Sequence, residues 1–224
     1  MCSKKSPENS AQNKDRNLLI VFVKNIVLGK VKTRLAKTIG DVGAFKIYSE
    51  LVEITERASQ KVPIERHIYF SNLSIPSKWK GDKKCVQEGE DLGIRMRTAF
   101  QNGFDEGYEN IILIGSDLPN ISKKIIEVGF ETLQNNEVIF GPAEDGGYYL
   151  IGMSKMNAAL FENKPWSQSE LLAVTLAQLK EQQQSVGFIE ILNDIDTFED
   201  LIASDFYKNN PTIQEIIASK TLLK

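Results

Sequence analysis

Apolar and polar positions alternate in blocks along the chain. Leu18-Leu19-Ile20-Val21-Phe22-Val23 is a short continuous apolar run, the pattern of a strand buried on both faces. Similar runs predict strands at 64–70, 84–86, 111–114, 138–140, 148–151 and 187–191. Between them, apolar residues recur at helical spacing. Phe45, Tyr48, Leu51, Val52 and Ala58 mark a helix over 44–60, and further helices are predicted over 92–104, 123–134 and 168–183. Residues 213–223 have the same spacing. Strands alternating with helices predict a three-layer α/β/α sandwich around a mostly parallel sheet. The turn-rich stretch 71–84 reads as a surface loop. Residues 1–16 are polar and read as a disordered tail ahead of a single domain over 17–224.

Composition narrows the chemistry. The chain has 224 residues, 27 basic and 30 acidic side chains and a formal net charge of −3. That balance argues against a broad nucleic-acid face. No apolar run reaches the roughly 20 residues that span a bilayer, and no signal peptide is evident, so a cytoplasmic protein is expected. Two isolated cysteines supply neither a disulfide framework nor a zinc knuckle. With His67 as the single histidine, chemistry must run on carboxylates, lysines, arginines, hydroxyls and backbone amides.

Ligands of open α/β sheets bind beyond the carboxyl ends of the strands, so those segments hold the candidates. The first strand runs into a basic loop that contains Lys24, Gly29, Lys30, Lys32, Arg34 and Lys37. It matches neither a P-loop nor a dinucleotide-binding glycine motif. A helix starting near Lys30 would put Lys30, Arg34 and Lys37 on one face. Cations at a helix N-terminus oppose its dipole, which makes sense if a polyphosphate sits there; the alternative is a solvated basic face. Asp117, in Gly115-Ser116-Asp117-Leu118-Pro119, is placed either to hold magnesium against phosphate oxygens or to cap the corner. Asp145-Gly146-Gly147 can let a backbone approach a ligand or can simply form a hairpin. Glu90 or Asp91 reads as a helix cap, with Arg95 as a local partner of one of them. Thr197 and Asp200 fit a capping box, which leaves Asp194 and Asp196 free to add a second carboxylate to a metal at Asp117.

These segments occur in a characteristic order: VKNIVLGKVKTRLAK, EGEDLGIRM, GSDLP, GPAEDGGYYLIG, PWS and NDIDTFEDL. Over about residues 18–203 the chain resembles the GT-A-fold nucleotide-diphospho-sugar transferase superfamily. Within it, the chain is most similar to a glycosyltransferase-like family labelled radical-SAM/selenodomain-associated transferase. More distant similarity extends to nucleotidyltransferases that guanylylate phospholactate or the molybdenum cofactor, and to those that cytidylylate sugar acids.

The resemblance implies that Lys24, Gly29, Lys30, Lys32 and Arg34 handle nucleotide phosphates. It implies that Asp117 and Asp196 bind magnesium or manganese, and that Asp145, Gly146, Gly147 and Arg95 meet the acceptor. Lys24, Lys32, Arg34 and Asp117 are then the expected catalytic set. Two departures stand out: Ile26 where the family has proline, and a lone Asp117 in place of a D-x-D motif. The expected partners are an NTP or nucleotide sugar and a small acceptor. The leading expectation is magnesium-dependent nucleotidyl transfer to a phosphorylated small molecule. The alternatives are glycosyl transfer from a nucleotide sugar and an inactive nucleotide-binding module.

Overall fold

A computed structural model describes residues 16–221; the tail expected over 1–16 lies, apart from Arg16, outside the described residues. Seven strands form one sheet: β1 (Asn17–Val23), β2 (Glu65–Phe70), β3 (Lys83–Val86), β4 (Asn110–Ile114), β5 (Val138–Pro142), β6 (Tyr148–Met153) and β7 (Val186–Phe188). Their spatial order is β3-β2-β1-β4-β6-β5-β7. All neighbouring pairs run parallel except those made by β6, which is antiparallel to both β4 and β5.

The all-apolar reading of β1 has a direct structural counterpart. Leu19, Val21 and Val23 point into one cluster, which also holds Tyr48 and Val52 from α1 (Thr33–Gln60) and Ile125, Ile126 and Phe130 from α3 (Lys123–Leu133). Leu18, Ile20 and Phe22 point the other way. They meet Met96 and Phe100 from α2 (Leu92–Asp105) and Leu179 from α4 (Leu171–Glu181). Period-two alternation therefore feeds two cores, and helices cover both faces. Behind α1 lies a third cluster, shared with α5 (Phe198–Ala203), α6 (Asp205–Lys208) and α7 (Pro211–Thr221).

Several expectations are corrected. The helix after β1 starts at Thr33, not near Lys30, and breaks at Gly40, whose φ of 72° is non-helical. Lys30 sits instead in the preceding turn, so it shares no helical face with Arg34 and Lys37. The 71–84 stretch is more than a surface loop: Trp79 within it is fully buried, and its indole N–H donates to Ser59 Oγ at 2.9 Å. The last strand stops at Phe188, three residues short of expectation, although Leu192 still donates its N–H to the Pro142 carbonyl at 3.2 Å. No described helix is long and apolar enough to cross a membrane.

Candidate active site

β1 connects through α1 to β2 on one side of it, while its other neighbour, β4, is reached through α2. The order of the sheet therefore reverses between β1 and β4, which opens a crevice at their carboxyl ends. A cavity of about 590 Å³ lies there, lined by Lys24, Lys32, Arg34, Arg95, Asp117 and Asp196 among others. The structure thus brings together six sequence-predicted residues from four separate segments. A larger hollow of about 760 Å³, between α1 and α7, holds none of these strand-end charges.

Local hydrogen bonds explain how the acids converge. Asp117 follows β4 by three residues, and a Cβ on Gly115 would lie 2.9 Å from its Oδ1, so the glycine leaves room for the carboxylate. The late segment is tied to this corner where Ile195 donates its N–H to the Asp117 carbonyl at 3.4 Å. Thr197 and Asp200 form a reciprocal capping box at the start of α5. Asp200 also accepts the N–H of Asp196 at 3.1 Å, which fixes the backbone beneath that acid. Burial raises the Asp200 carboxyl, but the hydrogen bonds from Thr197 and Asp196 outweigh it and hold the group below its usual range.

Three carboxylates result, from Asp117, Asp194 and Asp196, with one oxygen of each within 4.8 Å of the others. Their electrostatics differ. Lys32 Nζ donates to Asp117 Oδ2 at 3.0 Å and to Asp196 Oδ1 at 2.9 Å. Arg34 donates to the other Asp196 oxygen at 3.4 Å. Burial works against the Lys32 ammonium, yet Asp117 and Asp196 more than offset it and keep its pKa raised. Among the described residues Asp194 has no such cation in contact. Burial, then the Asp117 charge, pushes its carboxyl up to about 7.

Opposite the acids, Tyr48 forms a buried hub. Its hydroxyl accepts the Lys24 N–H at 2.9 Å, donates to the Lys24 carbonyl at 3.1 Å and meets Ser116 Oγ at 2.9 Å. It therefore ties the exit of β1 to the exit of β4. Burial, followed by nearby charge, pushes its phenol up to about 12. Arg95 donates to the Gly89 carbonyl at 2.9 Å rather than to an acid. Asp91 caps α2 by accepting the Ile94 N–H at 2.8 Å.

Other predicted site residues lie apart. Gly29 and Lys30 are exposed on the turn before α1 and do not line the cavity. Gly146 has φ of 88°, and a Cβ there would strike the Ser169 carbonyl at 1.9 Å, so the close approach it permits is to the chain's own backbone. Asp145 accepts the Gly147 N–H at 2.9 Å and is exposed. His67 is buried in β2, 3.8 Å from Glu106, and does not line the cavity.

Sequence reading did not single out Tyr48 or Ser116. Tyr48 sits on the apolar face of α1 and counts there as core, and nothing in the pattern marks its hydroxyl.

Residues 57–168 match the family described as an uncharacterized protein conserved in bacteria (DUF2064). The chain belongs to this family. Among solved structures, it is similar to a protein from Desulfovibrio desulfuricans named as a nucleotide-diphospho-sugar transferase. That protein is 27% identical with a TM-score of 0.84, covering 92% of this chain and 98% of the other. A CMP:2-keto-3-deoxy-manno-octonic acid synthetase solved with CTP is 9% identical with a TM-score of 0.54, covering 94% and 100%. Rv0371c of Mycobacterium tuberculosis, solved with manganese, is 13% identical with a TM-score of 0.50, covering 84% and 97%. No curated protein matches the sequence. The fold of this DUF2064 member is that of the nucleotide-diphospho-sugar transferases, as the order of its motifs implied.

Proposed function

We propose that this chain is a nucleotide-dependent transferase that moves a nucleotidyl group from an NTP to a phosphorylated small molecule. The observation that carries this reading is one cavity, at the switch point of the sheet, lined by cations beside three converging carboxylates. Asp117, Asp194 and Asp196 offer only oxygen donors, within 4.8 Å of one another, which suits a hard dication such as magnesium or manganese. When bound, such an ion neutralises charge on phosphate oxygens and orients them.

The chain's own side chains complete the site. Lys24 and Arg34 are exposed on the cavity wall and would meet the triphosphate, offsetting the charge that develops on departing pyrophosphate. Arg95 lines the same cavity and would hold the acceptor phosphate. An acceptor phosphate oxygen would attack the α-phosphorus. One P–O bond forms, the α–β bridge breaks, and pyrophosphate leaves with the electron pair. A phosphate nucleophile is already ionised, so no base is needed, in keeping with a cavity that His67 does not reach.

A second reading is glycosyl transfer from a nucleotide sugar. The name of the Desulfovibrio relative favours it. Asp145, close enough to Asp194 for its charge to act there, would then face the acceptor with Gly146 and Gly147. A lone acid after β4, paired with acids from a late loop rather than a D-x-D motif, favours the nucleotidyl reading.

Product analysis separates the two. Pyrophosphate released from an NTP, dependent on magnesium and a phosphorylated acceptor, supports nucleotidyl transfer. Nucleoside diphosphate released from a nucleotide sugar, without pyrophosphate, supports the second reading. Asp117→Asn is expected to cut turnover by about a hundredfold or more, on the scale of losing one charge-stabilising contact, with the circular dichroism spectrum unchanged. Full activity in that variant would overturn the metal assignment.

A further inference from the structure

Lys32 carries three local penalties at once. Its backbone is left-handed, with φ of 45° and ψ of 50°, a region that non-glycine residues seldom enter. It stands at the N-cap of α1, where a side-chain acceptor is favoured, and its own side chain makes no cap. Its ammonium is buried, the side chain only 5% exposed, and lies near the positive end of a helix. A lysine serving as a phosphate ligand would avoid the burial by turning towards the solvent side of the cavity, as exposed Lys24 and Arg34 can. Lys32 instead places Nζ between Asp117 and Asp196, with one oxygen of each on it at 3.0 and 2.9 Å.

We propose that Lys32 is a positioning residue, a tethered cation that stands where a second metal ion would otherwise be needed, so that the acid cluster takes one divalent cation. The inference rests on the metal-dependent reading above. Three ionised carboxylates set against the Lys32 ammonium and the Arg34 guanidinium leave one negative charge, which favours one dication and disfavours a second. Both oxygens of Asp196 already face a cation, Lys32 on one side and Arg34 on the other. Of the three acids, Asp194 alone has no cation in contact among the described residues, and it is the acid that a metal would most relieve. The ammonium also holds Asp117 and Asp196 together before any substrate arrives, which reduces the reorganisation needed on binding.

The role predicts a result opposite to that of a phosphate ligand. Manganese binding is measured without nucleotide, by loss of the free-ion electron paramagnetic resonance signal, on the full chain and on Lys32→Met. The intact protein is expected to bind one manganese. Lys32→Met is expected to bind the first ion tenfold or more tighter, or to take a second, while turnover falls. Lys32→Gln keeps a donor without the charge; it carries the same expectation and replaces the methionine variant if that one does not fold. Lys32→Arg keeps the charge and should retain the single-ion stoichiometry. Equal stoichiometry and affinity in the intact and uncharged proteins overturn the role of Lys32 and leave the metal site standing. An intact protein that binds no manganese, with or without NTP, overturns the metal reading and this role with it.

Discussion

Two cations in this molecule, Arg66 and the more deeply buried Lys32, are held in different ways. Arg66, on β2, meets Asp82 Oδ1 through Nε at 2.9 Å and through its second terminal nitrogen at 2.8 Å. Its remaining nitrogen donates to the carbonyls of Val62 at 2.8 Å and Ile64 at 2.9 Å. Both partners are largely buried, with side chains 17% and 10% exposed. One positive charge meets one negative charge, and the guanidinium also pins the chain between α1 and β2. Lys32 meets two acids with a third nearby, beside an open cavity. The first arrangement is balanced and closed. The second carries surplus negative charge facing solvent, which costs stability and makes sense when a cationic or metal-bound ligand is to be received.

Breaking the balanced pair should have the largest effect on the fold. Arg66→Met leaves Asp82 buried without its cation, a change that costs about 3–5 kcal/mol. At about 2–4 °C per kcal/mol for a chain of this size, calorimetry should show a drop in Tm on the order of 10 °C. Nucleotide binding by the folded fraction should be unchanged, because the pair does not line the cavity. A Tm within a degree of the parent would show that the pair holds nothing together.

The surplus charge should appear as a pH dependence. The Asp194 carboxyl is pushed up to about 7, from an unfolded value near 3.9. Between those values the folded chain binds more protons than the unfolded one at this group, so it loses stability as pH rises. Asp194→Asn removes that loss, and in metal-free buffer its Tm at pH 8 should exceed the parent's. His67 acts with the opposite sign: burial lowers its pKa below 6.5, so stability falls as pH drops through that value. Scanning Tm from pH 5 to 8 in both proteins cancels the histidine and isolates Asp194. Manganese should stabilise the parent more as pH rises through about 7, because the ligand must lose its proton. Parallel Tm profiles for the two proteins would show that Asp194 carries no excess charge.

The strands and the acids were legible in the sequence, though unevenly, and neither ion pair of this contrast was. Strands buried on both faces announce themselves as apolar runs, so β1 and β4 were placed to within a residue. Strand direction has no such signature, and the antiparallel β6 follows from the tight turn after β5 rather than from its own residues. Asp194 and Asp196 stood out because the capping box accounts for Thr197 and Asp200 without them. The pairing of Lys32 with the acids was not legible. It depends on a left-handed lysine before α1, a conformation that sequence marks only when glycine or asparagine is present. Trp79 was lost in a turn-rich stretch for a related reason: one buried ring among polar residues makes no periodic pattern.

Tyr48 offers the smallest and finest test, since it joins the two sides of the comparison without carrying charge itself. Its hydroxyl links the β1 exit, which presents Lys24, to Ser116 beside Asp117. Tyr48→Phe removes the link and leaves a buried serine hydroxyl without that partner, at a cost of about 1–3 kcal/mol. The ring still packs against Val52 and the strand residues of the same cluster, so the fold should persist. If the hub only supports the fold, Tm falls by a few degrees and nucleotide affinity stays constant. If it sets the spacing between the phosphate-facing cation and the acids, KM for the nucleotide should rise severalfold, with a smaller change in kcat. Manganese affinity without nucleotide should hold in either case, because Asp117, Asp194, Asp196 and Lys32 keep their mutual contacts. A fall in manganese affinity would show that the acids depend on this hydroxyl and are not organised by Lys32 alone.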